Sequence, residues 1–374
     1  MEYVNLGDVA TYINGYAFKP EQRGKKGLPI IRIQDLNGNS HDLGFFDGEY
    51  PEQVEINTGD ILISWSGSLG VYKWNKGKAL LNQHIFKVLF NKIEIDKEYF
   101  CYAIRNSLSS MSQQTHGATM KHITKKDFDN ISIPYPDLIE QKKIANNLNI
   151  VNKLIMFYEK ELILFEQMVK ARFIEMFGDL KSNEKDWNLK TFEEMSVLIT
   201  DGEHSTPKRT KEGIYLLSAR NVLNHSLQLK DVDYINRDEY LRIAKRVVPK
   251  KGDILISCSG TIGRCCSVPD SLQLQMVRSV ALIRFKEVIN PIFAEYMITS
   301  DYLQEQINSS KTMSSQANLF QGKIRKLKGF LPPTELQNQF ADFVEQVNKS
   351  REVVKKSLEK TQQLYDSLMQ EYFG

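Results

Sequence analysis

The chain contains little cysteine, and its cysteines are not spaced as in a disulfide framework or a metal site. Four cysteines occur in 374 residues. Cys265 and Cys266 are adjacent, Cys101 and Cys258 are isolated, and no C-x-x-C pair occurs. These spacings exclude a disulfide-stapled or zinc-ribbon protein, and we expect reduced thiols in the cytoplasm.

The sequence also lacks an excess of charge of one sign and any long apolar run. Lys and Arg number 49 against 46 Asp and Glu, a net charge of +3, which excludes a polybasic protein. No window reaches the roughly 18 consecutive apolar residues of a membrane span. The N-terminus has neither the basic start nor the apolar core of a signal peptide. We therefore expect a cytoplasmic protein with no membrane partner. Only residues 179–334, with 23 basic and 18 acidic side chains, are locally basic.

Catalytic and cofactor-binding motifs are missing as well. The six histidines are scattered, none forms H-E-x-x-H, and no Walker A sequence occurs. The S-W-S-G at 64–67 is not the G-x-S-x-G of a hydrolase, and we interpret it as a structural turn. The P-D-L-I-E-Q-K at 136–142 resembles a nuclease motif, and the N-P-I-F at 290–293 resembles an adenine methyltransferase loop. The first is too tightly spaced and the second lacks the second proline, so both are interpreted as helix starts. We predict no catalytic residue, metal ligand or cofactor in this chain.

What the sequence does contain is an internal duplication. The segment G-D-I-L-I-S-W-S-G at 59–67 recurs as G-D-I-L-I-S-C-S-G at 252–260. Each half later reaches a proline pair, a long helical pattern and a terminal Phe-Gly, at 177–178 and 373–374. Units of this length are too long for solenoid repeats, so the chain is a duplicated globular region followed by a helix.

The two helices show an apolar spacing that alternates between four and three residues. Asp137 with Glu140 predicts a capping box at the first start, and Thr334 with Gln337 predicts the same at the second. The spacing is typical of a coiled coil, although Arg351 and Thr361 interrupt the second copy. Roughly 38 residues at 1.5 Å rise give a rod about 57 Å long, which we expect to pack on its copy. The predicted seam comprises Ile144, Leu148, Val151, Ile155, Tyr158, Leu162, Phe165 and Val169, then Phe340, Val344, Val347, Val354, Leu358, Tyr365, Leu368 and Tyr372.

The globular parts are predicted to be mixed α/β. Ile31 and Ile33 alternate with Arg32 and Gln34, a pattern that predicts a half-buried strand. Short apolar runs bounded by turn residues predict further strands. The fold class is therefore α+β with an internal tandem duplication, and its four segments are 1–137, 138–178, 179–333 and 334–374. Predicted strands are 61–63, 85–90, 254–256 and 280–285, and predicted helices are 99–107 and 291–306.

These features together resemble the specificity subunit of Type I restriction-modification systems. The resemblance covers the whole chain. It rests on the duplicated G-D-I-L-I-S-x-S-G and on P-Y-P-D-L-I-E-Q-K-K-I-A at 134–145, with a weaker echo at 332–341. The second helix start lacks the Q-K-K run, so its docking surface is expected to differ from the first.

The resemblance implies two target recognition domains, joined by two long antiparallel helices, in a non-catalytic DNA reader. Such a subunit binds a bipartite, asymmetric site in double-stranded DNA, with one half read by each domain. The resemblance also implies partner proteins: two modification subunits that methylate adenine with S-adenosylmethionine, and restriction subunits that use ATP and Mg²⁺. No cofactor is expected in this chain itself.

Comparison of the halves suggests which residues read DNA, because one scaffold reading two sequences keeps apolar positions and changes polar ones. Arg32 and Gln34 align with Ser218 and Arg220, and Lys73 aligns with Cys266. Arg, Gln and Asn suit base edges, and Lys suits phosphates. The candidates are Arg32, Gln34, Lys73, Gln83, Thr119, Lys121, His122, Ser218, Arg220, Asn221, Arg264 (aligned with Val71), Arg278, Gln316, Asn318 and Lys323.

Two other functions remain open at the level of sequence. The chain could serve a related system in which one partner protein contains both the methyltransferase and the nuclease. The neighbouring genes would distinguish that system from a Type I system. It could also be a coiled-coil scaffold that does not bind DNA. Measuring DNA binding at several salt concentrations, with the partner present, would distinguish a scaffold from a DNA reader.

Overall fold

The computed structural model describes residues 2–39, 42–114, 124–309 and 318–374, with the side chains of all except 110–114. The described chain forms two compact units. Unit 1 contains the described part of Met1–Glu159 together with Lys356–Gly374, and unit 2 is that of Lys160–Lys355. Both units mix helices and strands, which confirms the predicted α+β class.

Unit 1 is built on two four-stranded sheets. The sheet orders are β2-β9-β6-β7 and β4-β3-β8-β5, and β1 pairs with β10. Short 3-10 helices cover Pro20–Gln22 and Glu52–Val54. The elements are β1 (Tyr3–Asn5), α1 (Leu6–Val9), β2 (Thr11–Asn14), β3 (Leu28–Ile31), α2 (Ile33–Leu36), β4 (Phe45–Phe46), β5 (Glu55–Ile56), β6 (Ile61–Ser64), β7 (Gly70–Lys73), β8 (Ala79–Leu81), β9 (Ile85–Leu89), α3 (Lys97–Gln114), α4 (Lys125–Asp129), β10 (Ser132–Pro134) and the first part of α5 (Leu138–Phe177).

Unit 2 repeats this plan. The sheet orders are β12-β21-β18-β19 and β13-β17-β14-β20, with small pairs β11-β22 and β15-β16. A 3-10 helix covers Ala219–Asn221. The elements are the rest of α5, β11 (Leu189–Thr191), α6 (Phe192–Met195), β12 (Ser196–Asp201), β13 (Arg209–Thr210), β14 (Ile214–Leu217), β15 (Val222–Leu223), β16 (Ser226–Leu227), β17 (Asp233–Ile235), α7 (Arg237–Ala244), β18 (Ile254–Ser257), β19 (Cys265–Ser267), β20 (Leu274–Met276), β21 (Val280–Phe285), α8 (Pro291–Thr299), α9 (Asp301–Ser309), α10 (Gln321–Lys326), β22 (Lys328–Phe330) and the first part of α11 (Thr334–Phe373), whose last part belongs to unit 1.

The duplicated G-D-I-L-I-S segment forms a central strand of each unit, β6 and β18, whose four residues are all buried. The glycine before it has a positive φ, +100° at Gly59 and +82° at Gly252, which favours glycine. The serine ending each strand closes the turn, since Ser257 Oγ donates to the carbonyl of Thr261 at 2.7 Å as Ser64 Oγ does to that of Ser68. The repeat is thus structural, as predicted.

Two predicted elements differ in the structure. The strand predicted through Ile33 ends at Ile31, because the Asp35 carboxylate accepts a hydrogen bond from the backbone N–H of Arg32 at 2.8 Å and starts helix α2. The helix predicted over 291–306 is divided into α8 and α9, because Ser300 is extended and its hydroxyl donates to the carbonyl of Met297.

The two 40-residue helices α5 and α11 begin where the prolines predict, but their starts are held differently. Asp137 Oδ1 accepts a hydrogen bond from the N–H of Glu140 at 2.9 Å, as a capping residue does. The capping box predicted for Thr334 and Gln337 is wrong. The Gln337 side chain is fully buried: it accepts from the N–H of Asn290 and donates to the carbonyls of Val288 and Pro332.

Within each unit, a segment of α5 packs on a segment of α11. In unit 2 the rings of Phe173 and Phe340 lie 5.3 Å apart, and Glu166 pairs with Arg351, so these segments run in opposite directions. In unit 1, Asn147 Nδ2 donates to the hydroxyl of Tyr372 at 3.3 Å. The residues spaced at fours and threes are buried or half-buried throughout: Ile144, Leu148, Val151, Ile155, Tyr158, Leu162, Phe165, Val169, Phe340, Val344, Val347, Val354, Leu358, Tyr365, Leu368 and Tyr372.

Candidate nucleic-acid interface

Four of the predicted DNA-binding residues lie outside the described residues. These are Thr119, Lys121, His122 and Gln316. The others fall on loops and short elements of the two units, and each unit is considered separately.

In unit 1, Arg32 and Gln34 lie at the start of α2, directly after strand β3. Arg32 Nε is 3.1 Å from Asp35 Oδ2, and its side chain is only 16% exposed. Its guanidinium also donates to the carbonyl of Asp42. Gln34 is exposed beside it. Arg32 is therefore held rigidly, and Gln34 is the more accessible of the two.

Lys73 of unit 1 lies on a different surface from Arg32. On β7 the side chains alternate, so Tyr72 reaches Asn37 beyond α2 while Lys73 forms an ion pair with Glu98 of α3. The hydrogen bond that Lys73 donates to the Glu98 carboxylate raises the pKa of Lys73 above its ordinary value. The structure thus does not bring Lys73 together with Arg32 and Gln34.

Gln83 and Arg278 occupy equivalent positions in the two units. Both are exposed and both precede a central strand. The N–H of Gln83 donates to the carbonyl of Tyr16 at 3.0 Å, and the N–H of Arg278 donates to that of Glu203 at 3.0 Å. One backbone position therefore presents a glutamine in unit 1 and an arginine in unit 2.

In unit 2, three loops meet at the residues that follow strand β14. Arg264 Nη2 donates to the carbonyl of Ala219 at 2.8 Å, and Ser279 Oγ accepts from the N–H of Ala219 at 3.1 Å. Ser218 and Arg220 flank Ala219, and Arg278 precedes Ser279. The candidates Ser218, Arg220, Arg264 and Arg278 are thus gathered on one loop cluster.

Asn221 lies in the interior of this cluster. It is 1% exposed, accepts from the N–H of Ser218 at 2.9 Å, and donates to the carbonyl of Gln228 at 3.0 Å. Asp35 accepts from the N–H of Arg32 in the same way in unit 1. In this conformation Asn221 holds the turn, and its side chain does not face solvent.

The alignment of strand β7 with β19 in the sequence is wrong by one residue. Ile61 pairs with Lys73, whereas Ile254 pairs with Ser267, so Lys73 corresponds to Ser267 rather than Cys266. The turn in unit 2 is one residue longer, which places Arg264 at the position of Gly70 rather than Val71. This extra length lets Arg264 reach Ala219.

Asn318 and Lys323 lie beside the repeated strand-turn. Asn318 forms a bridge with Ser259, and the N–H of Leu319 donates to the carbonyl of Cys258 at 2.9 Å. Lys323 is exposed on α10. Asn318 therefore lies at the turn that continues to Arg264, and Lys323 lies five residues further along the chain.

Two residues of unit 2 that were not among the predicted candidates, Arg209 and Asp233, lie beside the candidate Arg220. Arg209 Nε is 3.1 Å from Asp233 Oδ2, and Arg220 Nη2 is 3.3 Å from Asp233 Oδ1. Both arginines are exposed. The signal was present, because a basic residue precedes the duplicated glycine in both halves, Arg23 before Gly27 and Arg209 before Gly213.

The four cysteines are free and buried. Burial raises the pKa of both Cys101 and Cys258 to about 12, so both are protonated thiols at neutral pH. Within residues 2–39, 42–114, 124–309 and 318–374, no three His, Cys, Asp or Glu side chains are grouped as metal ligands would be. In the described part of the chain, no helix is both long and apolar enough to cross a bilayer.

Comparison with known proteins places the duplicated fold in a family. A family model described as the Type I restriction modification DNA specificity domain matches residues 1–164 and 184–363. The Type I restriction enzyme EcoBI specificity subunit of Escherichia coli is 26% identical over 375 residues, covering 92% of this chain and 78% of that protein. The MjaVIII specificity subunit of Methanocaldococcus jannaschii is 23% identical, covering 98% of this chain and 91% of that protein.

Two solved structures share the fold. The S subunit of a Type I restriction-modification system from M. genitalium has a TM-score of 0.61 at 15% identity, over 100% of this chain and 96% of that one. A chain from a study of assembly and conformational transition of the type I R-M system has a TM-score of 0.58 at 14% identity, over 99% and 97%. Both show likeness of fold alone, whereas the family model covers most of the chain. The chain therefore belongs to the Type I restriction-modification DNA specificity family and is a DNA-recognition subunit of an enzyme complex.

Proposed function

We propose that this chain reads a bipartite, asymmetric site in double-stranded DNA, with one half-site read by each recognition domain. The observation that carries the proposal is one backbone plan used twice with different polar residues. Gln83 corresponds to Arg278, and Gln34 to Arg220, on loops held by equivalent hydrogen bonds. Two copies of one scaffold with different base-reading side chains suit a site whose halves differ.

We further propose that the long helices recruit the other subunits. Helix α5 exposes many large apolar side chains in addition to those in its seam, and those proposed to contact the partner subunits are between 41% and 61% exposed. Exposed apolar patches of this kind mark protein interaction sites. The occupants proposed are two adenine methyltransferase subunits, followed by ATP-dependent restriction subunits. The residues concerned are Ile150, Met156, Phe157, Ile163, Leu164, Met168 and Ile174.

In this proposal the chemistry belongs to the partners. S-adenosylmethionine binds the modification subunits, and ATP and Mg²⁺ bind the restriction subunits, in the cytoplasm where the genome lies. This chain supplies recognition and assembly.

The test is the methylation pattern of the host genome with and without this gene, read by single-molecule sequencing. We expect one bipartite motif to lose adenine methylation when the gene is removed and to regain it on complementation. An unchanged pattern, together with no salt-dependent DNA binding by the chain with its partners, would instead support a scaffold without DNA binding. A partner gene that fuses methyltransferase and nuclease would support the related system.

A further inference from the structure

Two arginines from separate segments of unit 2 meet on one carboxylate. Arg209 lies on β13 and Arg220 lies in the 3-10 turn after β14, while Asp233 lies on β17. Asp233 Oδ2 contacts Arg209 Nε at 3.1 Å, and Oδ1 contacts Arg220 Nη2 at 3.3 Å. The arginine side chains are 50% and 58% exposed and that of Asp233 is 30% exposed.

The sheet explains why these groups meet. Arg209 pairs with Ile235, so Asp233, two residues before Ile235, is its diagonal neighbour on the same face of the sheet. Asp233 itself pairs with Leu216, near the end of β14. The turn that carries Arg220 is held by the buried side chain of Asn221, which accepts from the N–H of Ser218, and by the hydrogen bond that Arg264 donates to the carbonyl of Ala219.

The pairing leaves donors free for a ligand. Each guanidinium has five N–H donors in a planar fork, and the ion pair with the carboxylate involves one nitrogen of each. The trio keeps a net positive charge because two cations share one anion. A planar fork held in one orientation matches the adjacent O6 and N7 acceptors of guanine in the major groove.

Unit 1 lacks this arrangement at the equivalent position. There the N–H of Ile30, the residue equivalent to Leu216, donates to the carbonyl of Gly44. Because Leu216 pairs with Asp233 in unit 2, Gly44 is the residue of unit 1 that corresponds to Asp233. The Arg23 side chain lies against Gly44, and its Nη2 donates to the carbonyl of Phe18 at 3.3 Å. With glycine in place of the aspartate, Arg23 folds back onto the protein.

We propose that Arg209 and Arg220, oriented by Asp233, form the guanine-reading element of the half-site of unit 2. Arg209 is a specificity-determining residue in this proposal and Asp233 is a positioning residue. The inference rests on the proposed function, since it requires unit 2 to read a half-site. It further requires that half-site to contain at least one G·C pair.

The experiment uses the full chain with its methyltransferase subunits, once the half-site of unit 2 is known from the methylated motif. Binding is measured on the cognate duplex and on duplexes in which each guanine of that half-site is replaced by 7-deazaguanine, which lacks the N7 acceptor. The variants are Arg209→Ala, Arg209→Lys, Arg220→Ala and Asp233→Asn. The matched controls are Lys251→Ala and Asp270→Asn, an exposed ion pair beside the other four-stranded sheet of unit 2.

We expect each arginine-to-alanine variant to weaken cognate binding by about 5- to 150-fold, the value of one bidentate base contact. The same variants should lose sensitivity to 7-deazaguanine at one position, with non-cognate binding little changed. Arg209→Lys keeps the charge without the fork and should behave like Arg209→Ala. Asp233→Asn should bind non-cognate DNA at least as well as the wild type while losing preference for guanine, and the two controls should match the wild type.

Two results would overturn the inference. One is a half-site of unit 2 without any G·C pair. The other is a uniform loss of binding to all sequences by Arg209→Ala with a shallower salt dependence, since that pattern indicates a phosphate contact. Failure of the proposed function is distinguishable, because the wild-type complex would then neither methylate nor bind any duplex.

Discussion

At the scale of single residues, two buried glutamines, Gln141 and Gln337, hold the starts of the long helices, although the sequence predicted only a capping role for Gln337. Gln141 accepts from the N–H of Asp96 at 2.9 Å and donates to the carbonyl of Pro136 at 2.8 Å. Gln337 makes the equivalent contacts in unit 2, and both side chains are fully buried. The proline-containing starts were predictable from sequence. The contacts that join them to the rest of each unit were not, because Asp96 and Asn290, whose N–H groups donate to the glutamines, lie 45 and 47 residues away in the chain.

We expect Gln337→Ala to lower the free energy of unfolding by about 2–4 kcal/mol, because it leaves buried backbone groups without hydrogen-bond partners. Chemical denaturation measures this. Gln339→Ala, an exposed residue of the same helix, is the matched control and should change stability by less than about 0.5 kcal/mol. Equal effects of the two variants would show that the buried amide contributes nothing.

The cysteines give a second prediction at this scale. With the pKa of Cys101 and Cys258 raised to about 12 by burial, each is a thiolate in only about one molecule in ten thousand at pH 8. A maleimide should therefore label the folded chain far more slowly than the chain in denaturant, as measured by mass spectrometry. Equally fast labelling in both states would contradict the burial.

At the scale of elements, the core strands were predictable because short apolar runs lie between glycine-containing turns. The short helix α2 was not, because a local hydrogen bond from Arg32 to Asp35 outweighs the apolar alternation. The candidate interface was predictable only as a set of polar positions. Its loop cluster depends on a turn that is one residue longer in unit 2 and on contacts such as that of Arg264 with Ala219.

Arg351 occupies a seam position where the spacing predicts an apolar residue. It is half-buried, its Nη2 is 3.5 Å from Glu166 Oε1, and its Nε has no hydrogen-bond partner. Because Glu166 is largely exposed, such a pair contributes at most about 1 kcal/mol. We expect Arg351→Leu to leave the free energy of unfolding unchanged or raised, and Val354→Ala, at the next seam position, to lower it by about 2 kcal/mol.

Urea unfolding of both variants tests this. A loss of more than about 1 kcal/mol in Arg351→Leu would mean that the ion pair stabilises the helix pair more than its exposure suggests. That outcome would also explain why this position departs from the apolar spacing.

At the scale of the whole molecule, the duplication predicts modular reading of DNA. The chain-wide resemblance could be recognised from sequence because duplicated motifs, proline pairs and helix lengths recur in order. The bases that are read could not, because they depend on the geometry of loops that differ between the halves.

Replacing residues 179–333 with those of a relative should change only one half of the methylated motif. The reason is that the loop cluster around Ala219 is built entirely from residues of that segment. Methylome sequencing of a host that carries the chimaera shows which half of the methylated motif has changed. A chain in which residues 1–137 are exchanged instead is the reciprocal control. A change in both half-sites from either exchange would contradict modular reading.

The last prediction concerns the length of α5, a single helix from Leu138 to Phe177 that continues from one unit into the other. Inserting four residues near Lys160 lengthens it by about 6 Å at 1.5 Å per residue and rotates the C-terminal part of the helix by about 40° net. Four residues is one step of the four-three alternation, so the seam can re-form as a stutter. A shift of about 6 Å corresponds to one or two base pairs at 3.4 Å each. We therefore expect both half-sites to survive while the unread spacer lengthens by about one base pair.

A two-residue insertion at the same place is the matched control, because it turns the apolar stripe by about 200° and should abolish assembly and methylation. Single-molecule sequencing of each mutant host reads both half-sites and the spacer at once. A four-residue mutant that still methylates with an unchanged spacer would show that the helix does not set the distance between the half-sites. Recognition would then tolerate a change in helix length, and the spacing would have to be fixed by the partner subunits or by bending of the DNA.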